Sequence, residues 1–262
     1  MTEAALRTFK LTVAYDGSEF AGWQVQPGKP TIQGKLQDAA RQLAGSHVNV
    51  IGSGRTDAGV HALAQVASCE LLWRDSTQRL LMALNAHLPD SIVVDQVDEA
   101  VPGFHAIRDA IGKRYRYQLQ LGGLRDPFQS RFRWHLRTKL DLEAMQIAAR
   151  RFLGRHDFRG FQNSGSDRKT TVREIRACEV FTQSNQWNDR EHVAVEIEAD
   201  GFLYNMVRSM VGTLVEVGRG KQAPAWVDSL LVAGERGLAG QTAPANGLML
   251  LRVDYDPKCV VD

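Results

Sequence analysis

The feature that most constrains this 262-residue chain is a hydrophobic period that switches between two and 3.6 in the same order twice. In the first half, Phe9, Leu11, Val13 and Tyr15 alternate with Lys10, Thr12 and Ala14, the pattern of a strand with one buried face. Thr31 then caps a helix through Leu43, with Ile32, Leu36, Ala40 and Leu43 on one side and Gly45 past its end. Strands follow at Val48 to Gly52 and Ala62 to Glu70, then a helix over Ser76 to Leu88 stopped by Pro89, then a strand over Ser91 to Val97. The order is β-α-β-β-α-β.

The second half repeats it. Lys113, Tyr115, Tyr117, Leu119 and Leu121 alternate with polar partners, and Asp141 caps a helix carrying Leu142, Met145, Ala149 and Phe152 up to Gly154. Arg173 to Phe181 and Val193 to Ala199 read as strands joined by the polar Thr182 to Arg190 hairpin. Helices over Leu203 to Val217, ended by Gly218, and over Trp226 to Ala233 precede a last strand, Leu248 to Tyr255. This is the ferredoxin-like split βαβ order, twice, in an α+β protein. Each half should place its helices on one face of an antiparallel sheet, with the sheets side by side and an active-site cleft between the halves. The boundary is expected between Gly103 and Gly112, giving domains of 1–108 and 109–262, with no Pro/Ser-rich linker.

Composition removes several classes. With 44% hydrophobic residues the chain can bury a core and is far from a disordered composition. No apolar run approaches the roughly 18 residues of a membrane span, and Met1 to Leu6 has no secretory apolar region. Three distant cysteines, Cys69, Cys178 and Cys259, form neither a zinc motif nor a disulfide framework, so a cytoplasmic protein with reduced thiols and no metal is expected. The net charge of +2 does not announce a polyanion ligand, but 24 of the 32 basic residues are Arg. They cluster at Lys113 to Tyr117, Arg131 to Arg137, Arg150-Arg151 and Arg155 to Lys169. Arg interleaved with aromatics suits phosphate contact and base stacking; a solvated charged face is the alternative.

The most unusual segment is Gly52-Ser53-Gly54-Arg55-Thr56-Asp57-Ala58-Gly59-Val60-His61-Ala62, between two expected strands. Its glycines imply a tight loop or close backbone approach. It lacks the Gly-Lys-Ser/Thr of a P-loop, and it fails the dinucleotide fingerprint because Gly59 comes too late and a strand follows. An Arg and an Asp two positions apart at its apex remain. An Asp in such a loop can simply cap an Asx-turn.

Gly54-Arg55-Thr56-Asp57-Ala58-Gly59-Val60-His61-Ala62 resembles the signature loop of the tRNA pseudouridine synthase A family. So do Tyr15-Asp16-Gly17-Ser18 with Phe20 to Gln26 and Thr31 to Gly34, Phe104-His105-Ala106 leading into Lys113 to Tyr117, Gly154 with His156-Asp157-Phe158 and Phe161, Asn205 to Gly212, and Gly247 to Tyr255. The family usually has Arg directly after Phe-His-Ala; here Ile107 stands there and Arg108 follows. The resemblance implies isomerisation of uridine to pseudouridine at positions 38 to 40 of the tRNA anticodon stem-loop, a homodimer, the pseudouridine synthase fold and no cofactor.

The resemblance also implies the roles of residues. Asp57 is the catalytic carboxylate, adding at C1′, stabilising positive charge there or deprotonating C2′. Arg55 fills the space of the everted base or holds the adjacent phosphate, since a stacked uridine cannot be reached. Tyr115 stacks on uracil and can take the C5 proton, although alone it reads as an inward strand aromatic. Arg208, read as mid-helix among Met206, Val207, Met210 and Val211, pairs with Asp57, because an unpaired charge there would be costly. His61, His105, Arg155, His156, Asp157, Phe158 and Arg168 are candidate RNA contacts. Leu248 or Leu250 is a candidate wall of the uracil slot. Two rival classes are weaker. Glycoside or nucleoside hydrolysis normally needs two carboxylates where this loop supplies one, and a passive RNA-recognition module would show an aromatic signature missing here.

Overall fold

The computed structural model describes residues 5–163, 170–184, 190–235 and 237–261. The chain forms two compact units, Met1–Ile111 with Leu250–Asp262, and Gly112–Met249.

The first unit runs β1 (Ala5–Tyr15), α1 (Ile32–Ala44), β2 (Val50–Gly52), β3 (His61–Trp73), α2 (Thr77–Asn85) and β4 (Ile92–Ala100). Strands β1 and β4 pair antiparallel, as do β1 and β3, and β2 and β3. The order β4-β1-β3-β2 is that of a split βαβ sheet. The apolar alternation of β1 is realised: Phe9, Leu11, Val13 and Tyr15 are all buried. Thr31 Oγ1 accepts from Gly34 N–H at 3.2 Å to start α1, and Gly45 at φ 68° ends it. Ser76 caps α2, which stops at Asn85 rather than Leu88. Asn85 marks the stop: its side chain donates to Val94 O and accepts from Val94 N–H, tying the helix end to β4.

From Leu250 onward the last strand, β10 (Leu248–Tyr255), belongs to this unit and lies beside β3. Val253, Tyr255 and Cys259 pack against buried Val66, Ala100, Phe104 and Ala106. Tyr255 OH donates to Ala106 O at 2.6 Å, and its ring meets Phe104 edge-on at 5.2 Å.

The second unit contains β5 (Ala110–Leu121), β6 (Trp134–Leu136), α3 (Leu142–Arg150), β7 (Gly154–Asp157), β8 (Val172–Gln183), β9 (Glu191–Ala199), α4 (Met206–Gly218) and α5 (Trp226–Ala233). Its sheet runs β5-β9-β8-β7, antiparallel throughout, but the short β6 joins β5 in parallel. The fold is therefore α+β as expected, with a mixed rather than purely antiparallel sheet. Helices α3 and α4 pack on each other, and α3 packs on β8. Asp141 caps α3 at Ala144 N–H, 2.9 Å. Helix α4 starts at Met206, three residues later than expected, because Asn205 adopts a left-handed φ of 60°. Part of the Thr182 to Arg190 hairpin lies outside the described residues.

Candidate active site

The loop between β2 and β3 is clamped from below by the segment that follows β1. Trp23 N–H donates to Thr56 O at 3.0 Å, and Val60 N–H closes a turn on Asp57 O at 3.1 Å. Gly22, at φ 100°, passes so close that a Cβ there would lie 2.6 Å from Thr56 O and 3.1 Å from the Asp57 carbonyl carbon. At Gly17 a Cβ would meet Val60 O at 2.0 Å. Only glycine allows both approaches. The clamp is itself anchored to α1: Ile32 N–H donates to Gly22 O, Gln33 N–H to Trp23 O, and Gln33 Nε2 to Val50 O at 2.8 Å. At the surface of this support, Arg55 is exposed and Asp57 is half-buried.

Beneath the loop lie polar side chains that sequence patterning does not single out. Tyr15 OH shares a 2.8 Å hydrogen bond with Thr56 Oγ1, and burial pushes the phenol up to about 12. Ser53 Oγ donates to Gln65 Oε1 at 2.6 Å, and Gln65 Nε2 to Gly54 O at 3.1 Å. The alternation of β1 places Tyr15 inward, but nothing in the sequence indicates which partner its hydroxyl finds.

His61 is 1% exposed. Its Nδ1 accepts from Gly17 N–H at 3.1 Å and lies 3.1 Å from Asp16 Oδ1, so it joins the turn after β1 to the start of β3. That is a framework role; the ring has no surface to offer RNA. His105 is likewise engaged locally. Its Nδ1 accepts from Ile107 N–H, and its N–H donates to Asp109 Oδ2 at 2.7 Å. At the unusual position Ile107 is exposed, and the Arg one residue later, Arg108, donates to Gly103 O at 3.2 Å.

In the second unit Tyr115 is 9% exposed and meets Phe202 edge-on at 5.2 Å. Its neighbour Tyr117 donates to Pro244 O at 2.7 Å. Arg208 lies in the first turn of α4, not mid-helix. Its Nε donates to Ala243 O at 2.7 Å and its Nη1 to Asn205 Oδ1 at 2.8 Å, so the left-handed residue that delays the helix also steers this guanidinium.

The remaining candidates separate by burial. Arg155 is exposed on β7. His156 Nε2 is bound to Leu153 O at 2.8 Å. Burial works to raise the Asp157 carboxyl, but hydrogen bonds from Thr171 Oγ1 (2.6 Å) and Arg159 N–H (3.0 Å), with the Arg159 charge, hold it below the usual range. Phe158 is completely enclosed by Phe152 and Phe161, so its ring is core and has no open face for RNA. Leu248 and Leu250 are buried on β10. Arg168 lies outside the described residues. Among the described residues no three His, Cys, Asp or Glu side chains gather as a metal-binding set, and no helix is long and apolar enough to cross a membrane.

The family description tRNA pseudouridine synthase matches residues 11–106 and 148–256 of this chain. The chain belongs to the tRNA pseudouridine synthase family. Membership carries the pseudouridine synthase fold that the resemblance implies. Proteins named tRNA pseudouridine synthase A from Pelobacter propionicus, Limosilactobacillus fermentum and Shouchella clausii are 44%, 43% and 43% identical to it. The alignments cover 95%, 96% and 93% of this chain and 100%, 97% and 91% of those proteins. A solved Cbf5–Nop10–Gar1 complex superposes with a TM-score of 0.33 at 14% identity, over 92% of this chain and 57% of that one. The matched stretches of the synthase family contain Arg55, Asp57 and Arg208, while Tyr115 falls between them.

Proposed function

We propose that this chain isomerises uridine to pseudouridine at positions 38 to 40 in the anticodon stem-loop of tRNA, acting as a cytoplasmic homodimer without a cofactor. The observation that carries the reading is near full-length similarity to proteins named tRNA pseudouridine synthase A, with the Arg55-Thr56-Asp57 loop inside the matched family region. The reaction breaks the N1–C1′ bond, turns the uracil and forms a C5–C1′ bond. The C5 proton leaves and N1 gains one, so composition and redox state are unchanged. A carboxylate at C1′ assists cleavage, either by adding there or by removing the C2′ proton, and Asp57 is the proposed group. Arg55 is proposed to take the place of the everted base or hold its phosphate. Tyr115 is proposed to stack on uracil and take the C5 proton, with Arg208 the cationic partner of Asp57. The proposed division, 1–108 with the Asp57 loop and then 109–262, is kept for the main boundary, while residues 250–262 group with the first compact unit.

Asp57→Asn tests this. Asn keeps the loop's shape and removes the anionic oxygen, so conversion should be lost while tRNA binding, made mainly through phosphates, persists. The product is isomeric with substrate, so carbodiimide adducts and primer-extension stops at positions 38 to 40 score it. Near wild-type conversion by Asp57→Asn refutes the assignment, and stops at other tRNA positions refute the proposed target.

A further inference from the structure

The residues immediately before Asp57 are held from beneath by a closed set of buried polar side chains. Tyr15 is 5% exposed, Thr56 6%, Ser53 2% and Gln65 0%. Tyr15 OH and Thr56 Oγ1 share a 2.8 Å hydrogen bond. Gln65 accepts from Ser53 Oγ and donates to Gly54 O. Nearby, Tyr255 OH donates to Ala106 O. The stretch from Gly54 to Thr56 is therefore gripped at the Gly54 carbonyl, at the Thr56 hydroxyl and, by Trp23 N–H, at the Thr56 carbonyl.

Stability alone does not account for such a set. Buried hydroxyls and amides are costly to desolvate, and apolar groups of equal shape often serve a core as well. What a fully satisfied network does supply is one geometry in place of several. Here that geometry belongs to the backbone one residue away from Asp57. Misplacing a reacting group by about 1 Å can lower a rate by about 100-fold.

We infer that Tyr15, Thr56, Gln65 and Ser53 are positioning residues for the Asp57 carboxylate, with the Tyr15–Thr56 hydrogen bond as the contact that fixes the loop at the residue preceding it. The inference rests on Asp57 being the reacting carboxylate. These residues act through the loop, so they set the rate of the chemical step and leave tRNA affinity alone.

The test is single-turnover pseudouridine formation by the full chain at saturating enzyme, with tRNA Kd and thermal unfolding measured on the same preparations. Tyr15→Phe and Thr56→Val each remove one hydroxyl. Each should slow the rate by about 10- to 100-fold with Kd within about twofold. The double variant should be no slower than the slower single variant, because both changes break one bond. Thr56→Ser, which restores the hydroxyl, should recover to within about threefold of wild type. A wild-type rate in folded Tyr15→Phe overturns the proposal. So does a loss carried by Kd, a multiplicative double variant, or Thr56→Ser as slow as Thr56→Val. If Thr56→Val does not fold, Tyr15→Phe and Thr56→Ser decide alone. Asp57→Asn is run in parallel. Full activity there removes the underlying reading and this inference with it, whereas an inactive Asp57→Asn beside a fast Tyr15→Phe removes only the inference.

Discussion

Arg114 donates from Nε to Glu196 at 2.6 Å, and Arg116 donates from its own Nε to the same carboxylate at 2.7 Å. Glu196 is 5% exposed, and Arg114 also reaches Glu198 and Glu179. Strand alternation explains the arrangement. Tyr115 and Tyr117 point to the buried face of β5, and the arginines point to the other, opposite acidic positions of β9. Two arginines of the Lys113 to Tyr117 cluster are thus engaged in ion pairs within the fold. Burial works against the Arg114 charge, but Glu196 with Glu179 and Glu198 outweighs it and holds the guanidinium above its ordinary range.

Glu196→Gln should therefore leave two guanidinium groups without their shared carboxylate. The expected loss is about 1 to 3 kcal/mol, less than for a fully buried pair because both arginines are partly exposed. Urea unfolding measures it, and tRNA affinity should be unchanged. Unaltered stability would show the pairs to be incidental.

Gly22→Ala should be severe. The residue sits at φ 100°, and the new methyl group would press on Thr56 O at 2.6 Å. Backbone strain of this kind is on the order of 1 to 3 kcal/mol, and its relief must move the loop that carries Asp57. The expected outcome is a lower melting temperature together with a slower single-turnover rate. A variant that melts earlier but reacts at full speed would place the clamp outside the chemistry.

Much of the fold is legible because it rests on local rules. The alternation of β1, the Thr31 cap and the Gly45 terminator act within a few residues, and they appear where the pattern puts them. Local patterning falls short where a distant partner decides. Trp134–Leu136 is too short to show a period, and it is a strand because β5 offers a parallel edge. The return of residues 250–261 to the first unit depends on Phe104 and Ala106. At the site, the Asp57 loop stands out by its composition. Arg114 and Phe158 turn inward for reasons a sequence cluster does not carry: β9 sets carboxylates opposite Arg114, and Phe152 and Phe161 pack against the Phe158 ring.

The thiols should react in an order set by burial. Burial, with Glu70 and Glu179 respectively, pushes Cys69 and Cys178 up to about 12; Cys259, raised by burial with Asp109 and Asp256, is only half-buried and so the most accessible of the three. Native protein near pH 8 should give one slowly reacting thiol, mapped to Cys259, and three after denaturation. Rapid labelling of Cys69 would show that the first-unit core opens readily.

His192 should make stability fall on mild acidification. The side chain is 5% exposed on β9, and its Nε2 is buried without a hydrogen-bond partner. Burial pushes its pKa down; Arg133 and Arg190 push it further, and Asp126 only partly offsets them. In the unfolded chain the ring takes a proton near its ordinary value of about 6.5, while in the fold it stays neutral to lower pH. The unfolded state thus binds more protons in that window. Stability is full above about pH 7 and is lost as pH falls through about 6.5 toward the folded value, by at most about 1.4 kcal/mol per pH unit. Carboxylates held low in the fold, such as Asp157 and Glu99, lose their contribution only at lower pH, so the two windows separate. Urea unfolding of wild type and His192→Gln across about pH 5 to 8 measures the difference. The gap between the two should narrow as pH falls, because the variant has no proton to take up. A constant gap would mean that His192 titrates alike in both states and that its burial does not set the acid limit of the fold.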